Sequence, residues 1–201
     1  MTRRDPSEIK GSIVPIVTPF NDDLSFGEKT FVELIEWQID SGSHGISVTG
    51  TTGEPSSLSL QEREHLIEVA AHTIGGRVPF VPGSGTNNLE ETLRLTRHAD
   101  ALGADAALVI VPYYNKPSQE GLYRYYSSLA SSVDIPIIIY NIPGRTAVNI
   151  APETMARLRR DHSTIIGVKE SNKDFEHASR VLHQCGRDFL VYSGIELLCF
   201  P

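Results

Sequence analysis

A chain of 201 residues with 40% hydrophobic content can bury one sizeable core, and its net charge of -7 is spread along the sequence rather than gathered in blocks. That balance gives no reason to expect a nucleic acid or an anionic membrane as partner. The basic start MTRRDPSEIK has no apolar stretch behind it, and no segment approaches the roughly 18 apolar residues of a spanning helix, so the expected location is the cytoplasm.

In chain order, short β-branched runs alternate with amphipathic stretches. Residues 12–18 (SIVPIVT) read as a strand, and a helix over about 28–41 comes next, with Phe31, Leu34, Ile35 and Ile39 at helical spacing. The strand at 45–49 (GISVT) precedes a helix over 59–74, and 78–82 (VPFVP) precedes one over 88–102. Next come 106–111 (AALVIV) with a helix over 118–132, and 135–141 (IPIIIYN) with one over 151–160. The run 165–169 ends on a lysine and reads as a strand buried on both sides; a helix over 174–184 and the strand 189–193 (FLVYS) complete the series. Asn88 and Ser118 are placed to cap helices, with the capping-box pattern complete only at Asn88 through Glu91.

This is a βα array, and right-handed crossovers would make its strands parallel. With seven strands and six complete helices, the nearest closed architecture is the TIM (β/α)8 barrel, here cut off after the seventh strand, so that 1–201 reads as one incomplete barrel domain. The ending SGIELLCFP looks like a strand end and then the first turn of an apolar helix. A doubly wound open sheet would want a glycine-rich phosphate turn after its first strand, and Thr18-Pro19-Phe20 is not one. The cysteines Cys185 and Cys199 have no CxxC spacing and read as ordinary buried thiols in a reducing compartment. His65 and His72 stand one heptad apart without ligand spacing, which fits a helix surface and no metal.

In such a barrel the chemistry sits at the carboxyl ends of the strands. The segments just past the strands carry unusual polar residues: Thr18, TGTTGEP (49–55), GSGTNN (83–88), PYYNKPSQEG (112–121), YNIPGRT (140–146), Lys169-Glu170 and Ser193-Gly194. Taken singly, GTTGE serves equally as a tight turn, PYYN as a packing or interface loop, and Arg145 as a surface ion-pair partner. Lys169 is harder to explain away, because an inward strand-end lysine loses hydration, which disfavours its charged form. It is either paired or used. At an unperturbed pKa of about 10.4, only roughly one amine in two thousand is neutral at pH 7, so a nucleophilic lysine needs such a site. Glu170 is its neighbour in sequence, but adjacent strand residues point to opposite faces.

As a set, GSIVPIVTPF, GTTGE, PYYNKPSQEGLY, YNIPGRT and IIGVKES, in this order from about Gly11 onwards, resemble the dihydrodipicolinate synthase and N-acetylneuraminate lyase family of pyruvate-dependent class I aldolases. The resemblance implies a longer chain whose barrel is completed and then extended by a small helical domain. It implies that Lys169 forms a Schiff base with pyruvate and no other cofactor is used, that Tyr140 shuttles protons with Thr51 and Tyr114 as relay, and that Tyr114 is lent across a dimer interface. Thr18, Thr52 and Gly53 would join Thr51 in holding pyruvate, the backbone of Thr51 and Thr52 taking its carboxylate. Arg145 would bind an acid group on the second substrate, which in the synthase branch is aspartate semialdehyde. The same likeness implies a homodimer or homotetramer. Pro55, Leu60 and Arg63 stand where lysine-inhibited synthases carry small polar residues and histidines, so feedback by lysine is expected to be weak or absent. KESNKDFEH and YSGIELLCF also resemble a dihydroxyheptenedioate aldolase branch, which would use pyruvate and succinate semialdehyde, and a noncatalytic or inactive remnant is the third alternative.

Overall fold

The computed structural model describes residues 3–199. Its strands are β1 (Ile13–Pro15), β2 (Gly45–Ser47), β3 (Ala107–Ile110), β4 (Ile137–Asn141), β5 (Ile165–Glu170) and β6 (Leu190–Ser193). Its helices are α1 (Glu28–Asp40), α2 (Leu60–Ile74), α3 (Leu89–Ala101), α4 (Gln119–Ala130), α5 (Pro143–Thr146), α6 (Pro152–Asp161) and α7 (Phe175–Cys185). Every expected helix is present, and α5 is an addition inside YNIPGRT.

The expected third strand is reduced to a bridge. Phe80 pairs with Ile46, and Val81 and Gly83 donate to Ile46 O and Val48 O. Pro79 and Pro82 interrupt the run, and a residue without an N–H cannot extend a ladder. Caps also differ from the sequence reading. Asn88 accepts from the Glu90 and Glu91 amides, but its own amide goes to Thr86 Oγ1. The reciprocal box forms instead at α2, where Glu62 N donates to Ser59 Oγ and Ser59 N to Glu62 Oε2 at 2.7 Å.

The chain divides into two compact units, Met1–Ser84 with Arg94–Ala107, and Gly85–Leu93 with Leu108–Pro201. In the first, β1 and β2 pair in parallel, with Ile13 opposite Gly45. Phe31 and Ile35 of α1 and Leu66, Ile67 and Ala70 of α2 are fully buried, and burial of such stripes is worth roughly 1.5–3 kcal/mol per large side chain. Asp105 is buried there with its charge met by Arg4 Nη1 at 3.1 Å and the Phe80 amide at 2.9 Å.

In the second unit the sheet order is β3-β4-β5-β6, with β4, β5 and β6 parallel. All of β4 is buried, as is all of β5 except Lys169, which is half-buried. The Tyr126 hydroxyl, fully buried, donates to Val109 O at 2.9 Å. A Cβ on Gly167 would run into the Leu190 carbonyl, so only glycine lets β6 close on β5. The thiol expectation is corrected: Cys199 is exposed, beyond the 3-10 turn Glu196–Leu198, and only Cys185 is half-buried, where burial pushes its thiol up to about 11. His65 lies on the surface of α2 beside Glu28 at 2.8 Å, and His72 is exposed, as the heptad spacing suggests. Phe200 and Pro201 lie outside the described residues.

Candidate active site

Period-two alternation along β5 decides what Lys169 and Glu170 face. Lys169 stands in register with Tyr140 on β4 and Tyr192 on β6, and Glu170 with Asn141 and Ser193. Cross-strand partners share a face of the sheet. Lys169 Nζ lies 4.8 Å from the centroid of the Tyr140 ring. No carboxylate comes within ion-pair distance of it among the described residues, and desolvation alone holds its pKa below the ordinary lysine value. Of the two fates open to a strand-end lysine, the paired one is therefore absent from this unit.

Glu170 turns the other way, as expected. It accepts from Asn141 Nδ2 at 2.9 and 3.2 Å, and His177 Nδ1 stands 3.2 Å from its Oε2. Tyr192, on the far side of Lys169 from Tyr140, has its phenol pushed up to about 12 by burial, so it stays protonated. Gly194 leaves room beside the lysine, since a Cβ there would collide with Ser171 Oγ and sit 3.3 Å from Lys169 Cε. Gly194 was named in sequence only as part of the segment past the last strand, and Tyr192 and Ser171 were not singled out by sequence reasoning. The signal was present in the alternation, because Ser171 is two residues on from Lys169 and so falls on the same face.

Tyr140 is buried at the carboxyl end of its strand, whereas Arg145, in α5, is exposed. Tyr114 is 87% exposed and has a φ of 69°. Such a backbone is strained for a side chain with a Cβ, and Lys116 repeats it at 49°. The loop thus holds an aromatic ring away from its own unit.

In the first unit the GTTGE segment forms a 3-10 turn over Thr51–Gly53, closed by left-handed Glu54 at φ 51°. Thr18 Oγ1 donates to Gly53 O at 2.7 Å, and a Cβ on Gly53 would lie 3.2 Å from Ile16 O. The structure brings Thr18 and Gly53 together, and the threonine hydroxyl is spent on holding the turn. The Gly53 and Glu54 amides go to Gly50 O and Thr51 O. Those of Thr51 and Thr52 open the turn, where backbone donors have no intrahelical acceptor. Thr52 is exposed and Thr51 half-buried. Arg63, one of the three residues that depart from the small polar residues and histidines of lysine-inhibited synthases, is buried and donates to Gly83 O at 3.3 Å. Among the described residues no cluster of three or more His, Cys, Asp or Glu could hold a metal, and no helix is long and apolar enough to cross a membrane.

Known proteins resemble this chain in sequence and fold. The model of the dihydrodipicolinate synthetase family matches residues 8–201. The 4-hydroxy-tetrahydrodipicolinate synthase of Thermus thermophilus is 52% identical over 193 residues, covering 96% of this chain and 64% of the relative. That of Syntrophobacter fumaroxidans is 50% identical, covering 96% and 65%. The chain therefore spans about two thirds or less of the length of these curated relatives. Among solved structures, dihydrodipicolinate synthase from Aquifex aeolicus matches with a TM-score of 0.89 and 44% identity, over 92% of this chain and 62% of that one. The Acinetobacter baumannii enzyme complexed with pyruvate matches with a TM-score of 0.89 and 41% identity, over 92% and 64%. A synthase variant described as monomeric gives 0.89 at 38% identity, over 94% and 64%. These matches assign the α/β architecture to the (β/α)8-barrel class, of which the chain carries the matched part.

Proposed function

Because this chain belongs to the dihydrodipicolinate synthetase family, we propose that it acts as a Schiff-base-forming lyase condensing pyruvate with aspartate semialdehyde to 4-hydroxy-tetrahydrodipicolinate, in lysine and diaminopimelate biosynthesis. The observation that carries this reading is the Lys169 amine, desolvated, without a carboxylate partner and 4.8 Å from the Tyr140 ring. A neutral amine attacks the keto carbon of pyruvate, and loss of water leaves an iminium that serves as electron sink. A methyl proton then departs, and the enamine carbon attacks the aldehyde, whose oxygen becomes a hydroxyl. The amino group of the second substrate displaces the lysine to close the ring. No metal or other cofactor enters this scheme.

In this reading Tyr140 passes protons, with Thr51 and Tyr114 as relay. The Thr51 and Thr52 amides suit a carboxylate, Thr18 and Gly53 shape the turn that presents them, and Arg145 suits the acid group of the aldehyde. The exposed, backbone-strained Tyr114 supports its being lent to a second copy in a homodimer or homotetramer. The cytoplasm is the compartment this biosynthetic reading implies.

Borohydride added to the chain with pyruvate, and then intact mass and peptide mapping, tests the reading. Reduced pyruvate on Lys169 is expected; an unmodified chain refutes the Schiff base. Turnover with aspartate and succinate semialdehydes side by side then tests the second substrate, and equal or absent activity with the former sinks that choice.

A further inference from the structure

Behind Lys169, on the opposite face of β5, lies a second cluster. Glu170 is 5% exposed and His177, on α7, 7%. Asn141 Nδ2 donates to both oxygens of Glu170 and to Asn149 Oδ1 at 2.7 Å, while its Oδ1 accepts from the Ile150 amide at 3.3 Å. His177 Nε2 lies 3.0 Å from the Ile150 carbonyl oxygen, and Nδ1 lies 3.2 Å from Glu170 Oε2, at ion-pair distance though out of line for a hydrogen bond.

A peptide carbonyl offers only lone pairs, so Nε2 must carry a proton. A neutral ring would then turn the bare Nδ1 lone pair towards a buried carboxylate, acceptor against acceptor. One further proton removes the conflict. The other charged group acting on the ring is Asp174, at the cap of its own helix, and it favours the cation too. From α6, packed on the same helix, Glu153 is engaged by Arg180 and by Gln184. The β4 side presents amides.

The geometry points to His177 as a positioning residue: an imidazolium between Glu170 and the Ile150 carbonyl that anchors the Ile150 end of the segment carrying Arg145 to β5. Asn141 holds one end of that segment on Glu170 directly, and the ring holds the other through Ile150. Asn141 and Glu170 each come one residue after a member of the facing pair Tyr140 and Lys169, so the clamp fixes that pair from behind. Only this catalytic consequence rests on the Schiff-base reading.

Long-range proton–nitrogen NMR on the chain labelled in histidine, at about pH 7, should find both His177 ring nitrogens protonated, whereas a free imidazole would be mostly neutral there. In Glu170→Gln the ring should turn neutral, because the new amide can donate to Nδ1. A neutral His177 in the unaltered chain overturns the inference. Positioning is read from pyruvate trapping: His177→Phe, which strands the carboxylate, should slow labelling of Lys169 roughly tenfold or more, the scale set by small misplacements of reacting groups. Glu170→Gln, which keeps the bridge, should largely retain it. Equal labelling in the unaltered chain and His177→Phe overturns the positioning role, and His177→Gln replaces the phenylalanine variant if that one does not fold. Exchange protection of the Ile150 amide gives a readout independent of pyruvate: it should fade with rising pH as the ring loses its proton, and be low throughout in the variant. Protection that ignores pH counts against the clamp. A chain that pyruvate never labels removes the Schiff-base reading, and the NMR and exchange results still decide this one.

Discussion

At Lys169 the amine loses water without gaining a carboxylate, and that alone sets the direction of its pKa. In the folded state the group gives up its proton at lower pH than in the unfolded chain, so the unfolded chain binds more protons in the window between the two pKa values and stability rises with pH across it. Below that window the buried cation is a standing cost, so Lys169→Met should raise the Tm at neutral pH while abolishing pyruvate labelling. Tyr140→Phe keeps the ring that Lys169 faces and removes the hydroxyl, and turnover should fall by about 10²–10⁴, the usual worth of a positioned proton-transfer group. His177 has the opposite sign. Glu170, more than any other group, raises its pKa, so its contribution to stability is full below the unfolded value of about 6.5 and is lost as pH rises through the higher folded value. Denaturant titrations of the unaltered chain and His177→Phe should converge as pH rises across that window.

At the scale of single elements, two positions carry specific energies. The capping box of α2 joins Ser59 and Glu62 reciprocally, and Ser59→Ala should cost about 1 kcal/mol in urea denaturation. Gly167 is where β6 comes closest to β5. Gly167→Ala must push the Leu190 backbone away and should cost about 1–3 kcal/mol or more, the range for overpacking a tight site. These elements also mark how far periodicity reads a fold. The six long helices were legible because apolar residues at helical spacing need only their own helix to be seen. The strand at 78–82 was legible as extended but not as a ladder, because Pro79 and Pro82 remove the donors that would make it one. The box at Ser59 was as plain in sequence as that at Asn88. What separated them was Thr86, whose hydroxyl took the Asn88 amide that Glu91 would have used.

For the whole molecule, the family match runs through both compact units, and the surface it leaves exposed is informative. Tyr114, at 87% exposure, can be lost with little effect on stability, within about 0.5 kcal/mol as for other surface changes. Tyr114→Ala should nevertheless lower turnover and weaken self-association, read by sedimentation; unchanged turnover would remove it from the relay. Lysine should leave the rate of pyruvate labelling unchanged, since Arg63, in the segment where the resemblance implies small polar residues and histidines in lysine-inhibited synthases, is a buried guanidinium bonded to Gly83 O. The sequence by itself determined the βα alternation, the rim of polar residues and the lysine at a strand end, because each is written in local spacing. It also separated Lys169 from Glu170, since neighbours on a strand face opposite ways. Only tertiary structure decided what each then meets. Thr18 spends its hydroxyl on Gly53, Lys169 lies against Tyr140, and Glu170 meets Asn141 and His177. Such partners come from segments brought together by packing, and nothing in the residues beside them specifies which atoms will arrive.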